Sequence, residues 1–478
     1  MANQGLLAQL KPTGATDTVL YRAPIASSAS TVLTVANDGT GAAYDVAVKD
    51  YDQKLTLDAS TYLLHEGDVV SSYFVTLGTN MSPATNITPG QSLVTQDGEK
   101  SFKFESFYIP PFTTVGVKSV SIRAITVESV TGAFLIGETI TKGSGGDTTT
   151  AVIYGIAGAV LYVGPSTING SGAEFAAGDS ISSTGNGAGT ISVGGVGSAT
   201  NSFTFANDGG TETYLTGGIN LYGDRAYRFD TSDSSMSGRD FKLSTTENGV
   251  WGPDGTTGTG DDGTEFTTGK TTNGTAGSSG AYIQYDFTQT DVDFLYFYDG
   301  GTGTASNSEF GGEFIRVNLL DDNFPYPGFY IYDKEGTIVN NVDSFLLGGV
   351  TYTITGQTAG AYGYVKDYTG STLKFIKGLN SADFSGTDTF RDVPKDNTAN
   401  RSTVTVSAVA VGATGVEAFN YITDGKSLAA NNVDRITSLV VGPGEVVVVN
   451  SATANNVFSL VGFEDSSDSI TTRVFGQV

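Results

Sequence analysis

Short segments of alternating apolar and polar residues, each bounded by Gly, Asn or Asp, run through almost the whole sequence. Alternation with a period of two indicates strands that pack one face against a core. Thr31–Val35 and Ala43–Val48 flank Asn37–Gly41, which predicts a hairpin because Asn-Asp-Gly adopts positive φ at low cost. The continuous apolar run Val446–Val449 is typical of a strand buried on both faces. We therefore predict an all-β fold, with one short helical turn at Leu6–Leu10.

The composition supports a folded, turn-rich β protein. Gly accounts for 64 of the 478 residues without a collagen period, and charged residues are only 16%. The 23 Tyr and 27 Phe residues provide the aromatic surface that disordered acidic chains lack. At roughly 100–200 residues per domain, the chain is long enough for about three to five domains.

The net charge of −25 repels nucleic-acid phosphates and anionic lipid headgroups, so neither is an expected partner. The chain has no Cys, which excludes disulfides, thiolate metal sites and thiol nucleophiles. The segment Met1–Gln9 lacks the features of a secretory signal, and no run approaches the roughly 20 apolar residues of a membrane span. We expect a chain that is made and soluble in a cytoplasm.

A single histidine, His65, limits the available chemistry. A metal site with two imidazoles is impossible, and a Ser-His-Asp triad would have to use this residue. Because no nucleophile signature lies near it, we predict that His65 is a surface or interface residue.

An internal repeat is the clearest sign of organisation along the chain. The first copy opens at Phe134–Gly137 and closes at Glu174–Asp179; the second opens at Phe345–Gly348 and closes at Asp383–Asp388. Both copies contain a Gly/Thr turn and two strands in the same order. We predict that each copy forms the same small β module.

Five segments between the two copies occur in the order of a known family: Tyr222–Phe229, Ser237–Ser244, Glu265–Gly277, Gly280–Tyr285 and Leu295–Tyr298. This region resembles the cupredoxin-like domains found in structural proteins of marine phages. In that family His, Cys and Met ligands converge on copper.

The copper ligands of that family are missing here. Arg239 stands at the position of the first His, Asp299 stands at the position of the Cys, and Gly300–Phe310 contains neither His nor Met. The resemblance therefore implies a retained sandwich with degenerate copper-site positions and no cofactor. Arg239 and Asp299 either form an ion pair across the former site or are two unrelated surface residues.

Two acidic features have weaker functional interpretations. The loop Asp254–Gly263 is either a structural-cation site or an exposed loop, and it lacks the EF-hand spacing. The carboxylate pairs Asp321-Asp322 and Glu464-Asp465 could act in glycoside hydrolysis only if a cleft held two carboxyls at a suitable separation. We predict no metal site and no enzymatic activity.

The N-terminal segments 1–12, 17–24 and 30–39 are similar to virion structural proteins of contractile-tailed phages that infect marine cyanobacteria. The resemblance implies a noncatalytic virion component, assembled in the host cytoplasm, that decorates or projects from the capsid, neck or tail. Its implied partners are other virion proteins and further copies of itself. A strongly acidic β chain suits this role, because it stays soluble until strand edges and aromatic patches are buried on assembly.

The alternative is a host-surface adhesin or tail fibre component that recognises polysaccharide. Trp251, Tyr296 and Tyr298 are the candidate contacts, since aromatic faces stack on sugars, although the same residues are also suited to packing in a core.

Together these features predict an all-β multidomain chain with β-sandwich terminal domains, two small repeated β modules and a central cupredoxin-like sandwich. The predicted domains are an N-terminal β-sandwich (1–128), a first repeat module (129–195), the cupredoxin-like sandwich (196–318), a second repeat module (319–398) and a C-terminal β-sandwich (399–478).

Overall fold

A computed structural model describes residues 4–25, 27–82, 87–108, 110–207, 211, 213–214, 220–223, 225–287, 294–301, 310, 314–318, 325–392 and 403–465. The prediction of an all-β chain is confirmed, since strands dominate these residues and short 3-10 turns occur at Ser234–Met236, Gly249–Trp251 and Ala418–Asn420. The chain divides into two compact units. Unit 1 comprises residues 1–109 and 323–478, and unit 2 comprises residues 110–322.

The strands are numbered in chain order. The first part of unit 1 contains β1 (Gln4–Leu10), β2 (Thr18–Arg22), β3 (Ser28–Asn37), β4 (Ala42–Lys49), β5 (Gln53–Leu57), β6 (Val69–Ser71), β7 (Phe74–Met81), β8 (Ser92–Val94) and β9 (Ser101–Phe107). Unit 2 contains β10 (Thr113–Thr131), β11 (Thr139–Ser144), β12 (Asp147–Ala157), β13 (Val160–Val163), β14 (Thr167–Ile168), β15 (Ser180–Ser183), β16 (Ala188–Asn207), β17 (Asn220–Tyr222), β18 (Ala226–Asp230), β19 (Phe241–Ser244), β20 (Lys270–Asn273), β21 (Tyr282–Asp286), β22 (Phe294–Asp299) and β23 (Phe314–Asn318). The second part of unit 1 contains β24 (Tyr326–Glu335), β25 (Ser344–Leu347), β26 (Val350–Thr358), β27 (Tyr362–Thr369), β28 (Thr372–Lys377), β29 (Thr389–Arg391), β30 (Thr403–Val411), β31 (Tyr421–Leu428), β32 (Val433–Val441), β33 (Val446–Ser451) and β34 (Asn456–Asp465).

The two ends of the described chain build one sandwich. Its sheets have the orders β1-β34-β3-β32 and β2-β33-β4-β31, so each sheet combines strands from both parts of unit 1. Leu33 and Phe458 of the first sheet share a core with Tyr44 and Val447 of the second. The first four residues of β33 are buried between β2 and β4, which confirms the prediction for Val446–Val449.

Two local predictions in this sandwich are wrong. The segments Thr31–Val35 and Ala43–Val48 do not form a hairpin, because β3 and β4 belong to different sheets. The Asn37 side chain donates to the Thr40 carbonyl oxygen at 3.0 Å and so closes a turn that carries the chain between sheets. Leu6–Leu10 is not helical, because β34 pairs with it as part of β1.

A six-stranded module in unit 2, here the first module, closes on itself. Its antiparallel pairings run β11-β12-β13-β10-β16-β15, and β15 pairs with β11. Ile125, Ile140, Ile153, Leu161 and Ile191 fill its core.

Unit 1 contains the same strand order twice. The second module runs β6-β27-β28-β5-β30-β29, and the third runs β25-β26-β7-β24-β9-β8, again with antiparallel pairings throughout. Each of these two modules combines strands from both parts of unit 1. The first two strands of the first module in chain order are β10 and β11. Their structural equivalents are β5 and β6 in the second module and β24 and β25 in the third.

Each module has two tight corners of the same construction. Each corner begins with an apolar residue, and a turn follows it. The last residue of the turn is an acid or Gln, and its side-chain oxygen accepts a hydrogen bond from the backbone N–H three or four positions earlier. A residue with positive φ inside the turn then donates its N–H to a strand of the same module. The corners span 134–138 and 175–179 in the first module, 64–68 and 384–388 in the second, and 338–343 and 87–91 in the third.

This arrangement differs from the five predicted segments. The predicted boundaries 128/129 and 195/196 fall inside β10 and β16, and strands from 1–128, 319–398 and 399–478 share sheets. The predicted second copy, 345–388, is divided between the second and third modules because β26 pairs with β7 whereas β27 pairs with β28.

The remainder of unit 2 is a sandwich. The first half of β10 and the second half of β16 extend into a sheet with β18, β21 and β20, and β17, β23, β22 and β19 form the other sheet. Aromatic side chains dominate the core between them: Phe203, Phe229, Phe241, Tyr285 and Phe297.

Candidate functional site

Asp299, at the end of β22, is the centre of a buried polar site in unit 2. Its side chain is fully buried, and β22 pairs with β19 so that Phe241 lies opposite it. Oδ1 accepts the backbone N–H groups of Asp240 at 2.9 Å and Gly301 at 3.0 Å. The carboxylate is therefore held by the backbone on both sides of the sheet end.

Arg239 completes the site. Its Nη1 donates to Asp299 Oδ2 at 3.2 Å, and its guanidinium carbon lies 4.3 Å from the centre of the Phe310 ring. The ion-pair hypothesis for Arg239 and Asp299 is thus confirmed, and the alternative of two unrelated surface residues is wrong. A charge-assisted bond to a buried carboxylate, with an aromatic ring below the cation, fixes this end of the sandwich.

The three aromatic candidates behave differently. Trp251 is 7% exposed, and its indole N–H donates to the Asp299 carbonyl oxygen at 2.8 Å. Tyr298 is fully buried and packs so closely on Gly249 that an added Cβ would lie 2.5 Å from its ring. Of the two alternatives, packing in the core is therefore confirmed for Trp251 and Tyr298 and ligand contact by their rings is not, while Tyr296 is half-buried.

The donor set does not fit copper. A guanidinium has no acceptor lone pair for a metal, and both oxygens of Asp299 already accept hydrogen bonds. Within the described ranges no group of three or more His, Asp or Glu side chains is placed to hold a metal ion. The chemistry available at Arg239 and Asp299 is structural anchoring.

The remaining titratable candidates are His65, the loop Asp254–Gly263 and the two carboxylate pairs. The His65 side chain is 56% exposed with Nδ1 3.3 Å from Asp68 Oδ2, which confirms a surface position. In the loop Asp254–Gly263, the side chains of Asp261 and Asp262 accept backbone N–H groups of the same loop. Glu464 accepts the hydroxyl of Tyr21 at 2.7 Å. Asp321-Asp322 lies outside the described residues.

The outer side of the sheet β1-β34-β3-β32 carries an exposed apolar surface, the apolar face. Its members are Leu6 (60% exposed), Val32 (37%), Val440 (62%), Val461 (46%) and Phe463 (47%). Strand pairing places Leu6, Val461 and Val32 side by side in one row, and Phe463 lies level with Val440 across Ser30.

Sequence reasoning missed this face, although a signal for it is present. In β34 the buried positions Phe458 and Leu460 alternate with Val457, Val461 and Phe463, so both faces of the strand are apolar. A strand with only one buried face normally has polar residues on the other.

A cleft in unit 1 is a second feature that sequence reasoning missed. It has a volume of about 480 Å³ and lies between the segments Arg22–Ile25 and Ile376–Ser381. Asp333 at its wall accepts the Tyr364 hydroxyl at 2.8 Å, and Arg22 donates to the buried carboxylate of Asp52. Burial raises the pKa of Asp52, and the neighbouring Arg22 guanidinium opposes this rise.

Comparisons with known proteins identify no family: no family model, curated protein or solved structure matches the chain. No helix in the described part of the chain is long and apolar enough to cross a membrane.

Proposed function

We propose that this chain is a noncatalytic structural protein of a virion and that it is held in the particle through its sheet surfaces. The observation that carries the proposal is the apolar face, in which Leu6, Val461 and Val32 are exposed side by side. Contiguous apolar surface of this kind marks protein interaction sites on soluble proteins. The resemblance of the N-terminal segments to phage virion proteins supports the same class.

The charge of the chain is compatible with assembly. With a net charge of −25, free copies repel one another and remain dispersed. Around Leu6, Val32 and Val461 the apolar face gives this acidic surface a region where a contact buries no charged side chain. In this proposal the Arg239–Asp299 sandwich is a retained scaffold that stiffens unit 2.

The test is cross-linking mass spectrometry on intact particles of the phage that encodes the chain. We expect the protein among the particle components, with cross-links from Lys11, which is half exposed beside β1, to another virion chain. Absence of the protein from purified particles would overturn the proposal.

A second candidate function, binding of a host-surface glycan, is favoured by the cleft at Arg22 and Asp333. Its volume of about 480 Å³ lies in the range of ligand clefts, and it combines apolar walls at Ile25 and Leu379 with polar groups. Glycan-array binding by the full chain tests it.

A matched pair of variants tests where a glycan binds. Leu379→Trp fills the cleft from a position that is 51% exposed, whereas Phe419→Trp changes a 71% exposed residue away from the cleft. Loss of glycan binding in the first variant alone would support the cleft, and equal binding by both variants would exclude it.

A further inference from the structure

We propose that the cleft in unit 1 binds an acidic sugar, with the carboxylate of the sugar on Arg22 and its ring against Ile25 and Leu379. The inference rests on the second candidate function, glycan binding, and deepens it by naming the class of sugar. It does not depend on the virion proposal.

Three parts of unit 1 meet at the cleft. Arg22–Ile25 is the end of β2 in the terminal sandwich and the turn after it, Ile376–Ser381 includes the end of β28 in the second module, and Asp333 belongs to β24 in the third module. Ligand sites occur preferentially at junctions of this kind, because separate elements supply the walls of a concave surface.

The carboxylate at the wall of the cleft is already occupied by donors. Asp333 Oδ2 accepts the Tyr364 hydroxyl at 2.8 Å and Lys103 Nζ at 2.9 Å. Oδ1 accepts the Leu379 N–H at 3.1 Å. A carboxylate that accepts three hydrogen bonds has little capacity left for the donors of a ligand. Asp333 therefore shapes the cleft and does not select for a cationic ligand.

Arg22 supplies hydrogen-bond donors to the cleft. Its side chain is 30% exposed, and its Nη1 donates to the fully buried carboxylate of Asp52. Across the described part of the chain this is the one hydrogen bond of the Arg22 side chain. A guanidinium has five N–H donors, so those that Asp52 leaves can bind a second carboxylate. The bond to Asp52 also orients the guanidinium in advance, which lowers the entropy cost of binding.

A second basic side chain favours an anion at the same place. Lys377 lines the cleft, and its ammonium pairs at 2.5 Å with Asp383, whose side chain is 51% exposed. A pair with so exposed a partner is weak, and the ammonium keeps further donors. In a chain with a net charge of −25, two basic residues at one cleft give a local site where an anion is attracted.

The apolar wall is held in place although it is exposed. Leu379 is 51% exposed, yet its N–H donates to Asp333 and its carbonyl oxygen accepts the Tyr362 hydroxyl at 2.6 Å. Asn380 follows with a φ of 58°, and its amide nitrogen donates to the Lys334 carbonyl oxygen at 3.0 Å. A non-glycine residue with positive φ persists where surrounding bonds fix it, and such positions cluster at ligand sites.

Asn380 favours a ligand that also carries hydroxyl groups. It lines the cleft, and within the described ranges no donor is bonded to its amide oxygen. The cleft thus combines cationic donors, an apolar surface and a neutral acceptor. A sugar acid matches all three with its carboxylate, the C–H face of its ring and its hydroxyls.

The test is isothermal titration calorimetry of the full chain with tetragalacturonate, and its methyl ester is the uncharged control. We expect the acid to bind more tightly than the ester, and we expect added salt to reduce that difference because it screens the charges. A short peptide with a C-terminal carboxylate, compared with its amide, is the third arm.

Two substitutions of Leu379 separate charge from shape. Leu379→Asp and Leu379→Asn have nearly the same size at an exposed position, so both should fold. Leu379→Asp should weaken binding of the acid by about tenfold or more relative to Leu379→Asn, because like charges then share the cleft. The ester should bind both variants equally. The control Phe419→Asp adds the same charge at a residue away from the cleft and should leave binding unchanged.

Arg22→Lys tests the carboxylate contact. The variant keeps a cation beside the buried Asp52 but loses the planar fork of donors. It should bind the acid more weakly and the ester as before. Circular dichroism of each variant confirms that the fold is intact.

The outcomes separate this inference from the proposed functions. Equal affinity for acid and ester, equal binding of the acid by Leu379→Asp and Leu379→Asn, or binding of the peptide carboxylate in place of the sugar acid would overturn the inference. Binding of a neutral glycan that Leu379→Trp abolishes would then leave the second candidate function standing. The presence of the protein in particles decides the virion proposal independently of these results.

Discussion

The first module and the two modules of unit 1 have the same strand order but different chain paths. In unit 2 the module is built from one continuous segment, β10 to β16. In unit 1 each module takes strands from both sides of the 110–322 segment, for example β6 beside β27 and β7 beside β26. The two modules of unit 1 have thus exchanged halves, and unit 2 lies in the chain between those halves.

This difference shows that the module is specified by its strand contacts rather than by chain connectivity. In all three copies a corner at the start of the second strand bonds to an apolar residue of the third: Ile153, Val365 or Ile354. The pairing of the third and fourth strands also shifts register at that residue in each copy. Local signals of this kind survive when a connection is cut and a long segment is inserted.

The largest expected effect is on the folding of chain fragments. A fragment of residues 110–322 should fold alone, because all strands of its module and sandwich lie within it. A fragment of residues 1–109 should not, since every sheet of unit 1 needs strands from 323–478. Co-expression of 1–109 with 323–478 should restore unit 1.

Cooperative thermal unfolding and amide dispersion in NMR spectra check this prediction. The single tryptophan, Trp251, is a convenient probe, because its buried indole reports on unit 2 alone. Cooperative unfolding of the isolated 1–109 fragment would contradict the exchange of halves.

The all-β class and three of the corners could be predicted from the sequence because both depend on local pattern, but the predicted opening of the second copy, Phe345–Gly348, lies in β25 and the turn after it and is not a corner. The turns Phe134–Gly137, Glu174–Asp179 and Asp383–Asp388 are corners, and their Gly-acid signature was visible. Two other corners do not match this signature in the sequence. The corner at 338–343 contains one extra residue, and the corner at 87–91 ends in Gln91 instead of an acid.

Strand partners could not be predicted from the sequence. A hairpin signal at Asn37–Gly41 specifies a turn but not whether the flanking strands stay in one sheet. The Arg239–Asp299 pair could be predicted because both residues stand at copper-ligand positions of the cupredoxin-like pattern. The burial of Trp251 and Tyr298, by contrast, depends on how β22 packs against distant turns. Aromatic residues suit a core and a binding surface equally well at the level of sequence.

A buried lysine stabilises unit 1 at the junction between β4 of the terminal sandwich and β5 of the second module. Lys49 is fully buried, and its ammonium nitrogen lies 2.6–3.1 Å from the carbonyl oxygens of Asp52, Gly412, Ala413 and Gly415, which share its three N–H donors. Burial lowers the pKa of Lys49 to about 8, so the group is still mainly charged at pH 7. Lys49→Met should lower the free energy of unfolding of unit 1 by about 3 kcal/mol or more, because it orphans several buried acceptors.

Denaturant unfolding followed by far-UV circular dichroism measures this loss, while Trp251 fluorescence should show unit 2 unchanged. The control Lys54→Met removes a partly exposed ion pair with Glu417 and should cost under about 1 kcal/mol. Equal losses in the two variants would contradict the role assigned to Lys49.

In unit 2 the Arg239–Asp299 ion pair makes a smaller contribution to stability. Arg239→Ala removes the donor to Asp299 Oδ2 and leaves a fully buried carboxylate with its two backbone donors. We expect a loss of about 2 kcal/mol, below that of a fully buried pair because the Arg239 side chain is 23% exposed. Trp251 fluorescence during denaturant unfolding measures this loss in the free energy of unfolding of unit 2. Lys242→Ala, at the same 23% exposure but paired with the half-exposed Asp240 at 2.8 Å and with Glu265 only at 3.7 Å, should cost less than Arg239→Ala.

The smallest expected effect tests whether corresponding corners contribute equally in the continuous and exchanged modules. Asp388 accepts the Ser385 N–H at 2.7 Å in the second module, and Asp179 accepts the Ala176 N–H at 2.7 Å in the first. Asp388→Ala should cost about 1 kcal/mol, as loss of a side-chain cap does in helices. Asp388→Asn should cost less, because an amide oxygen can accept the same N–H, as Gln91 does in the third module.

Asp179→Ala should cost more than Asp388→Ala, since Asp179 also binds Lys142 Nζ at 2.7 Å. The difference measures the ion pair, and Lys142→Met gives an upper limit for it, because that variant also removes the bond from Lys142 Nζ to the Glu174 carbonyl oxygen at 2.6 Å. If Asp388→Ala is neutral while Asp388→Asn is destabilising, the side chain does not act as an acceptor there. The corner geometry would then be maintained by the backbone bonds of Thr387 and Asp388 to Val406 alone, at 2.7 and 2.9 Å.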